Sequence, residues 1–323
     1  MIQWQRFIEY LITIWVIITL NFCLPRMMPG DPFLSLAGED GQELGQYSEN
    51  ERAYQLEWYG MNQPIHIQYV RYLGNFFIGN WGVSIHFNEK VFLILMERLP
   101  WTLLLVLSAV FFSTIIGVLL GGISAWYQGM WIDSAIYLSL ILITEIPAFL
   151  LGLIFLFIFA AGLGWFPLSG AITHFAEHAS WSTRLIDICH HAVLPIVSLT
   201  IVRTSGTYLL SRSSMISTIA KDYIRTATAK GLSNFRILVH HVMRNAMLPI
   251  VTRIFLTLGS LVSGTILVEN VFAYPGLGRL LREAVMLHDY PLIQGIFVMV
   301  MVCVLTANLI ADLIYGKLDP RVA

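Results

Sequence analysis

In "THFAEH" His174 and His178 stand four residues apart, one helical turn, with Glu177 near them, and "CHH" adds Cys189, His190 and His191 further on. These are side chains that ligate transition metals. If the two clusters meet, His174 and His178 are candidate metal ligands; if they do not, they are solvated loop histidines. Glu145, just before Pro147, and Arg203 are charges inside apolar stretches, where a charge is expensive and faces a path or an opposite charge. On continuous helices rising 1.5 Å per residue, Glu145 lies about eleven residues from one span end and Arg203 about ten from the other. Both then sit at mid-membrane, and an ion pair between them is expected, with a solvated cavity or contact with substrate charges as alternatives. Other chemistry is missing. No nucleophile and base can be placed together, and no GxxxxGK[ST] phosphate loop occurs, since Gly316-Lys317 is followed by Leu318. Cys23, Cys189 and Cys303 are scattered, with no CxxC, so neither a disulfide framework nor redox chemistry is expected.

The elements that must position these residues are membrane helices. Of 323 residues 57% are hydrophobic and only 12% charged, with a net charge of -1, outside the range of soluble domains and without the basic excess of a nucleic-acid binder. The fold class is all-α integral membrane, because open-edged strands leave backbone groups unsatisfied in lipid. Six stretches are long enough to span: about 8–26, 100–125, 134–161, 193–212, 248–271 and 291–316. The first is too long for a signal-peptide core and lacks a small-residue cleavage site, so it is expected to be retained.

Orientation follows the positive-inside bias. Residues 212–253 carry seven bases against one acid, so this loop is expected in the cytoplasm. The segment 27–99 carries nine acids against four bases and is expected outside. Both termini then face the cytoplasm. Gly117 and Gly121 form a GxxxG pair suited to close helix packing. Glu269, near a span end, is expected to be solvated or at the lipid headgroups.

Within the cytoplasmic loop, "AKDYIRTATAK" favours a helix, and Gly231 can end it in the left-handed conformation. Ser233 suits the N-cap of a second short helix, "NFRILVHHVMRNA", with Phe235, Leu238, Val239 and Val242 on one face. Two such helices are a rigid element offered to a cytoplasmic partner or a linker held by lipid phosphates; the alanines, small enough for close approach, favour the partner.

"DYIRTATAKGL" followed by "HHVMRNAMLPIVT" resembles the EAA-loop signature of permease subunits in binding-protein-dependent ABC importers, with Arg225, Thr226 and Ala227 at the three naming positions, of which Ala227 alone keeps the consensus residue. The long spacing from Gly231 to Leu248-Pro249 is similar to the peptide and nickel subfamily. So, in order, are "MMPGDPF", "YGMNQPIHIQYVRYL", "GNWGVSI", "ERLPWTLLL", "GLGWFPLSG", "RSSM", "ENVFAYPGLGRLL", "DYPLIQG" and "LDPRVA". The resemblance implies a type I ABC importer permease fold in the bacterial cytoplasmic membrane, one permease domain over 1–323, with no cofactor on this chain. It implies a second permease subunit, cytoplasmic ATPase subunits holding ATP and Mg, an extracytoplasmic substrate-binding protein, and contact with membrane lipid and no nucleic acid. The loop 213–247 would supply a coupling helix, with Arg225, Thr226, Ala227, Lys230, Gly231 and Leu232 as its ATPase-coupling residues, while Glu145, Pro147 and Arg203 are candidates for the translocation path. Peptide import is the leading expectation; nickel or metal-chelate import is the alternative within the class, and an autonomous channel or secondary carrier the alternative outside it.

Overall fold

The computed structural model describes residues 2–27, 62–173 and 180–318. In chain order the helices are α1 (Ile2–Arg26), α2 (Ile65–Ile78), α3 (Val91–Trp126), α4 (Trp131–Thr144), α5 (Ala148–Phe155, continuing as a π-helix over Leu156–Gly162) and α6 (Trp181–Ile219). There follow α7 (Asp222–Ala229), α8 (Asn234–Arg236), a π-helix over Ile237–Met243, α9 (Arg244–Val271), α10 (Leu277–Met286) and α11 (Tyr290–Leu318). Among the described residues there is no strand beyond a lone antiparallel bridge between Val83 and Lys90.

Three described helices are long and apolar enough to cross a membrane: α3, α6 and the Tyr290–Ala311 part of α11. They become four if α4 and Ala148–Gly162 form one span. Of the other expected spans, α1 offers the shorter apolar stretch Ile12–Arg26, and α9 occupies the segment near 248–271.

The third expected span is not continuous. It bends by 93° between α4 and α5. Pro147 is the cause: it has no N–H to donate and pushes Ile146 out of helical geometry, so α4 stops at Thr144 and α5 starts afresh after Pro147, whose ψ is 141°. The fourth expected span begins earlier than its apolar run, at Trp181. There Ser180 accepts from the Thr183 N–H while the Thr183 hydroxyl serves the Ser180 N–H, a reciprocal capping box that starts the helix in polar sequence.

The described residues fall into two compact units, one within Met1–Leu99 and Leu280–Val302, the other within Pro100–Arg279 and Cys303–Ala323. In the first, the buried Asn21 of α1 donates to the Tyr72 hydroxyl of α2 at 3.0 Å and to the Gln294 carbonyl of α11 at 2.9 Å. Burial pushes the Tyr72 phenol up to about 12. Phe22 packs on the Tyr69 and Tyr72 rings. Asp289 caps α11 by accepting the Leu292 N–H at 3.1 Å, and takes the Ser84 hydroxyl and the His86 N–H as well. One carboxylate thus joins "GNWGVSI" to "DYPLIQG".

In the second unit α3 and α6 touch backbone to backbone. A Cβ on Gly117 would stand 2.7 Å from the Thr207 Cβ, and one on Gly121 2.7 Å from the Ser211 Cβ, so the GxxxG pair is the contact itself. One apolar core gathers Leu105, Leu199, Val268, Phe272 and Tyr274. Another gathers Val118, Met215, Ile224, Ala227, Ile237, Val242 and Ile250. In lipid little is gained by moving a side chain out of water, so close packing of this kind, with interhelical hydrogen bonds, holds the helices together.

Candidate functional site

The short helix α7 stands on two small apolar feet. Ile224 and Ala227, three residues apart and on one face, are 6% exposed each and belong to the core around Met215, Ile237 and Val242. Arg225, Thr226, Lys230 and Gly231 are exposed, and Leu232 is half-buried against the same core. The small side chain of Ala227 therefore lets α7 lie close on its own chain; exposed alanine is supplied by Ala229. The exposed Asp222 and Arg225 approach to 3.8 Å, a solvated pair that contributes little.

Gly231 ends α7 as its type suggests. Its φ is 74°, its N–H reaches the Thr228 carbonyl at 2.9 Å, and the Leu232 N–H reaches back to the Ala227 carbonyl at 3.4 Å. These two bonds with Leu232 folded onto the core make a Schellman motif, which turns the chain sharply into α8. Ser233 holds the N-cap position with extended backbone, but its hydroxyl makes no capping bond.

The second loop helix differs from the expected one. It is continuous with the following span, since α8, the π-helix and α9 run on without a break. Of the expected face Val242 is buried and Leu238 packs on the core, joined by Ile237 and Ala246, whereas Phe235 is 76% exposed. The π-helix accounts for the added residue: its bonds skip five residues instead of four, so Ile237, five before Val242, shares the buried side. Phe235, Leu238 and Val239 line an apolar groove of about 380 Å³ together with Gly122 and Trp126 of α3.

A polar network missed in the sequence joins α3, α4 and α6. Arg212 holds Asp133 with both arms of its fork, Nε to Oδ1 at 2.8 Å and Nη2 to Oδ2 at 2.7 Å. Ser124 bonds to Asp133, receives Arg212 Nε at 3.1 Å, and lies 2.7 Å from the Tyr208 hydroxyl. The Gly129 N–H completes the Asp133 shell at 3.0 Å. Arg212 and Met215, a core residue against which α7 is rooted, lie within one turn of α6. The clue in the sequence is depth: Asp133 and Arg212, an acid and a base, stand at the adjoining ends of the third and fourth expected spans.

The candidate path residues do not pair. Glu145 is exposed at the C-terminal end of α4, and the half-buried Arg203 extends its Nη2 towards Gly264 of α9, 3.4 Å from where a Cβ would stand there. Among the described residues neither belongs to an ion pair. The break at Pro147 removes the premise of the depth estimate, a continuous helix carrying Glu145. His174, Glu177 and His178 lie outside the described residues. Cys189, His190 and His191 are not loop residues: they lie in the early turns of α6, where His190 Nε2 is 2.9 Å from the Trp165 carbonyl and the buried His191 rests against Asp187. Among the described residues no group of three potential ligands is arranged for a metal.

Glu269 also departs from expectation, being fully buried. It accepts the Thr102 hydroxyl at 2.7 Å and the Gly278 and Arg279 N–H groups at 2.7 and 3.2 Å, which makes it an anchor for the start of α10. Side chains on Gly276 or Gly278 would collide with this carboxylate, which explains the spacing in "YPGLG". Burial, and next the Glu269 charge, pushes the nearby Tyr274 phenol above its ordinary range. Glu269→Ala strips the acceptor from three donors at once and is expected to cost about 3 kcal/mol of stability. Thermal unfolding of the purified chain in detergent checks this; an unchanged midpoint contradicts the anchoring role.

Residues 117–323 match the family described as "Binding-protein-dependent transport system inner membrane component". The chain is 36% identical over 304 residues to an oligopeptide transport system permease protein of Bacillus subtilis, covering 94% of this chain and 93% of that one. It is 33% identical over 319 residues to a dipeptide transport system permease protein of Escherichia coli, covering 94% and 93%. A di/tripeptide transport system permease protein of Pseudomonas aeruginosa is 32% identical over 323 residues, covering 96% and 95%. Among solved structures, an inward-facing form of the MetNI methionine ABC transporter aligns with a TM-score of 0.55 at 17% identity, over 71% of this chain and 97% of that one, a likeness of fold.

Proposed function

The chain belongs to the family of binding-protein-dependent transport system inner membrane components, and we propose that it is a permease subunit lining the translocation path of a peptide ABC importer. It is an integral membrane transport component and performs no bond chemistry of its own. The names of its relatives support peptides over nickel as cargo. In this reading six helices cross the bacterial inner membrane with both termini in the cytoplasm, 27–99 faces outward and 213–247 faces inward. A second permease completes the path, a substrate-binding protein delivers the peptide from outside, and ATP and Mg are held by separate ATPase subunits.

One observation carries the coupling part of this proposal. An exposed helix, α7, is locked onto the spans by Ile224 and Ala227 and turned at Gly231, so force applied to it reaches α6 and α9 through packed side chains. Arg225, Thr226, Lys230 and Gly231 present its outward surface to the ATPase, while Ala227 and Leu232 root it. The Asp133–Arg212 network then keeps the inner ends of α3, α4 and α6 moving as one. Pro147 and the flanking bend between α4 and α5, with Glu145 and Arg203, are assigned to the path; rigid helices rotating about such breaks supply alternating access.

A cysteine at Lys230 tests the arrangement. Lys230→Cys is expected to cross-link to the ATPase subunit in membranes, whereas Trp165→Cys, which follows the third span and so faces outward in this reading, is not. A cross-link at 165 and none at 230 would reverse the orientation and remove the coupling role.

A further inference from the structure

We infer that Arg203 recognises the terminal carboxylate of the peptide during its passage, a role that rests on the peptide-import reading. Arg203 lies in the middle of α6, on a span where a guanidinium is expensive unless it meets water or an opposite charge. Among the described residues it has no salt-bridge partner. In the same unit Asp133 is occupied by Arg212, Glu269 by Thr102 and the start of α10, and Asp187 by His191 and Thr173. Glu145, at the break in the neighbouring span, makes no ion pair among the described residues. The helix that the guanidinium approaches, α9, contains no acid between Leu248 and Val268.

The surroundings leave room for a ligand. Gly264, towards which Nη2 extends, is exposed, and Gly206, one turn along α6, has open space where a side chain would stand. A flat fork of five donors in such a place matches the two oxygens of a carboxylate, which a lysine matches less well. Every unmodified peptide carries one terminal carboxylate whatever its side chains, so a single arginine serves cargo of mixed sequence. One half-buried contact also holds weakly enough to let the peptide move on.

The test uses the assembled complex in proteoliposomes with its binding protein, measuring ATP-driven uptake of one short peptide with a free C-terminus and of its C-terminal amide. Arg203→Gln is expected to lower the ratio of free-acid to amide uptake about tenfold relative to the unaltered complex, the loss falling on the free acid. Arg203→Lys is expected to retain part of that ratio, which separates lost recognition from lost folding. If both peptides slow equally in both variants, Arg203 pairs within the assembly, and the inference is overturned. An unchanged ratio in an active Arg203→Gln complex overturns it too. An unaltered complex that carries neither peptide while another cargo of the same system is carried overturns the peptide reading and the inference with it.

Discussion

Gly231→Val is expected to reduce ATP-driven uptake at least tenfold while leaving the spans folded. The strain lies in the backbone, since no atom stands within 4 Å of a Cβ built at this position. With φ at 74° the residue is in the left-handed region, where an L side chain costs about 1–2 kcal/mol and a β-branched one more. The chain relieves that strain by unwinding the Schellman turn, which swings α7 away from the direction set by its bonds to Thr228 and Ala227. Because the outward surface of α7 is held by that turn, the partner loses its grip although the core around Met215 persists. Gly231→Asn, which tolerates the left-handed region, is expected to retain most of the uptake. Paired uptake and co-purification measurements check this; a fully active valine variant would contradict the role of the turn.

Asp133→Ala is expected to be the most destabilising single change, at about 3 kcal/mol or more, because it leaves an arginine without its carboxylate. The two partners are unequal. Side-chain exposure is 7% for Asp133 and 25% for Arg212. Removing Arg212 leaves Asp133 with the Ser124 hydroxyl and the Gly129 N–H, whereas removing Asp133 leaves Arg212 with the Ser124 hydroxyl and the distant face of Tyr137. Arg212→Met should be milder despite the deeper burial of Asp133, because the carboxylate keeps two donors, and Asp133→Ala combined with Arg212→Met should recover much of the loss, since an uncompensated charge costs more than the absent pair. Thermal unfolding of the four proteins in detergent gives the comparison. A double variant as unstable as Asp133→Ala alone would show that shape, and not the charge pair, holds α3, α4 and α6 together.

What could be read in the sequence was what depends on a few neighbouring residues. The helix of "DYIRTATA" and its stop at Gly231 follow from local propensity and from one residue type's freedom at positive φ. The close contact at Gly117 and Gly121 follows from spacing alone. Pro147 lacks an N–H and so permits a kink, but a full break also needs the surrounding packing to accept a free helix end, and that is a three-dimensional property. The π-helix before Arg244 has no marker residue, so the burial of Ile237 beside Val242 does not follow from the α spacing, although Leu238 and Val242 do. Long-range pairs were the least legible. Glu269 finds Thr102 across 167 residues and Asp133 finds Arg212 across 79, distances over which composition and periodicity carry no information. The tendency to place charges near span ends in solvent also fails for Glu269, because the turn after it brings the Gly278 and Arg279 N–H groups onto its carboxylate.

The central claim is that this chain carries peptides only as one part of an ATP-driven assembly. Uptake of a labelled short peptide into proteoliposomes, measured with and without the companion permease, the ATPase and the binding protein, tests it directly. Uptake that requires all of them together with ATP is the expected result. Uptake by this chain alone, or by the full assembly without ATP, would contradict it and restore the channel or secondary-carrier alternative.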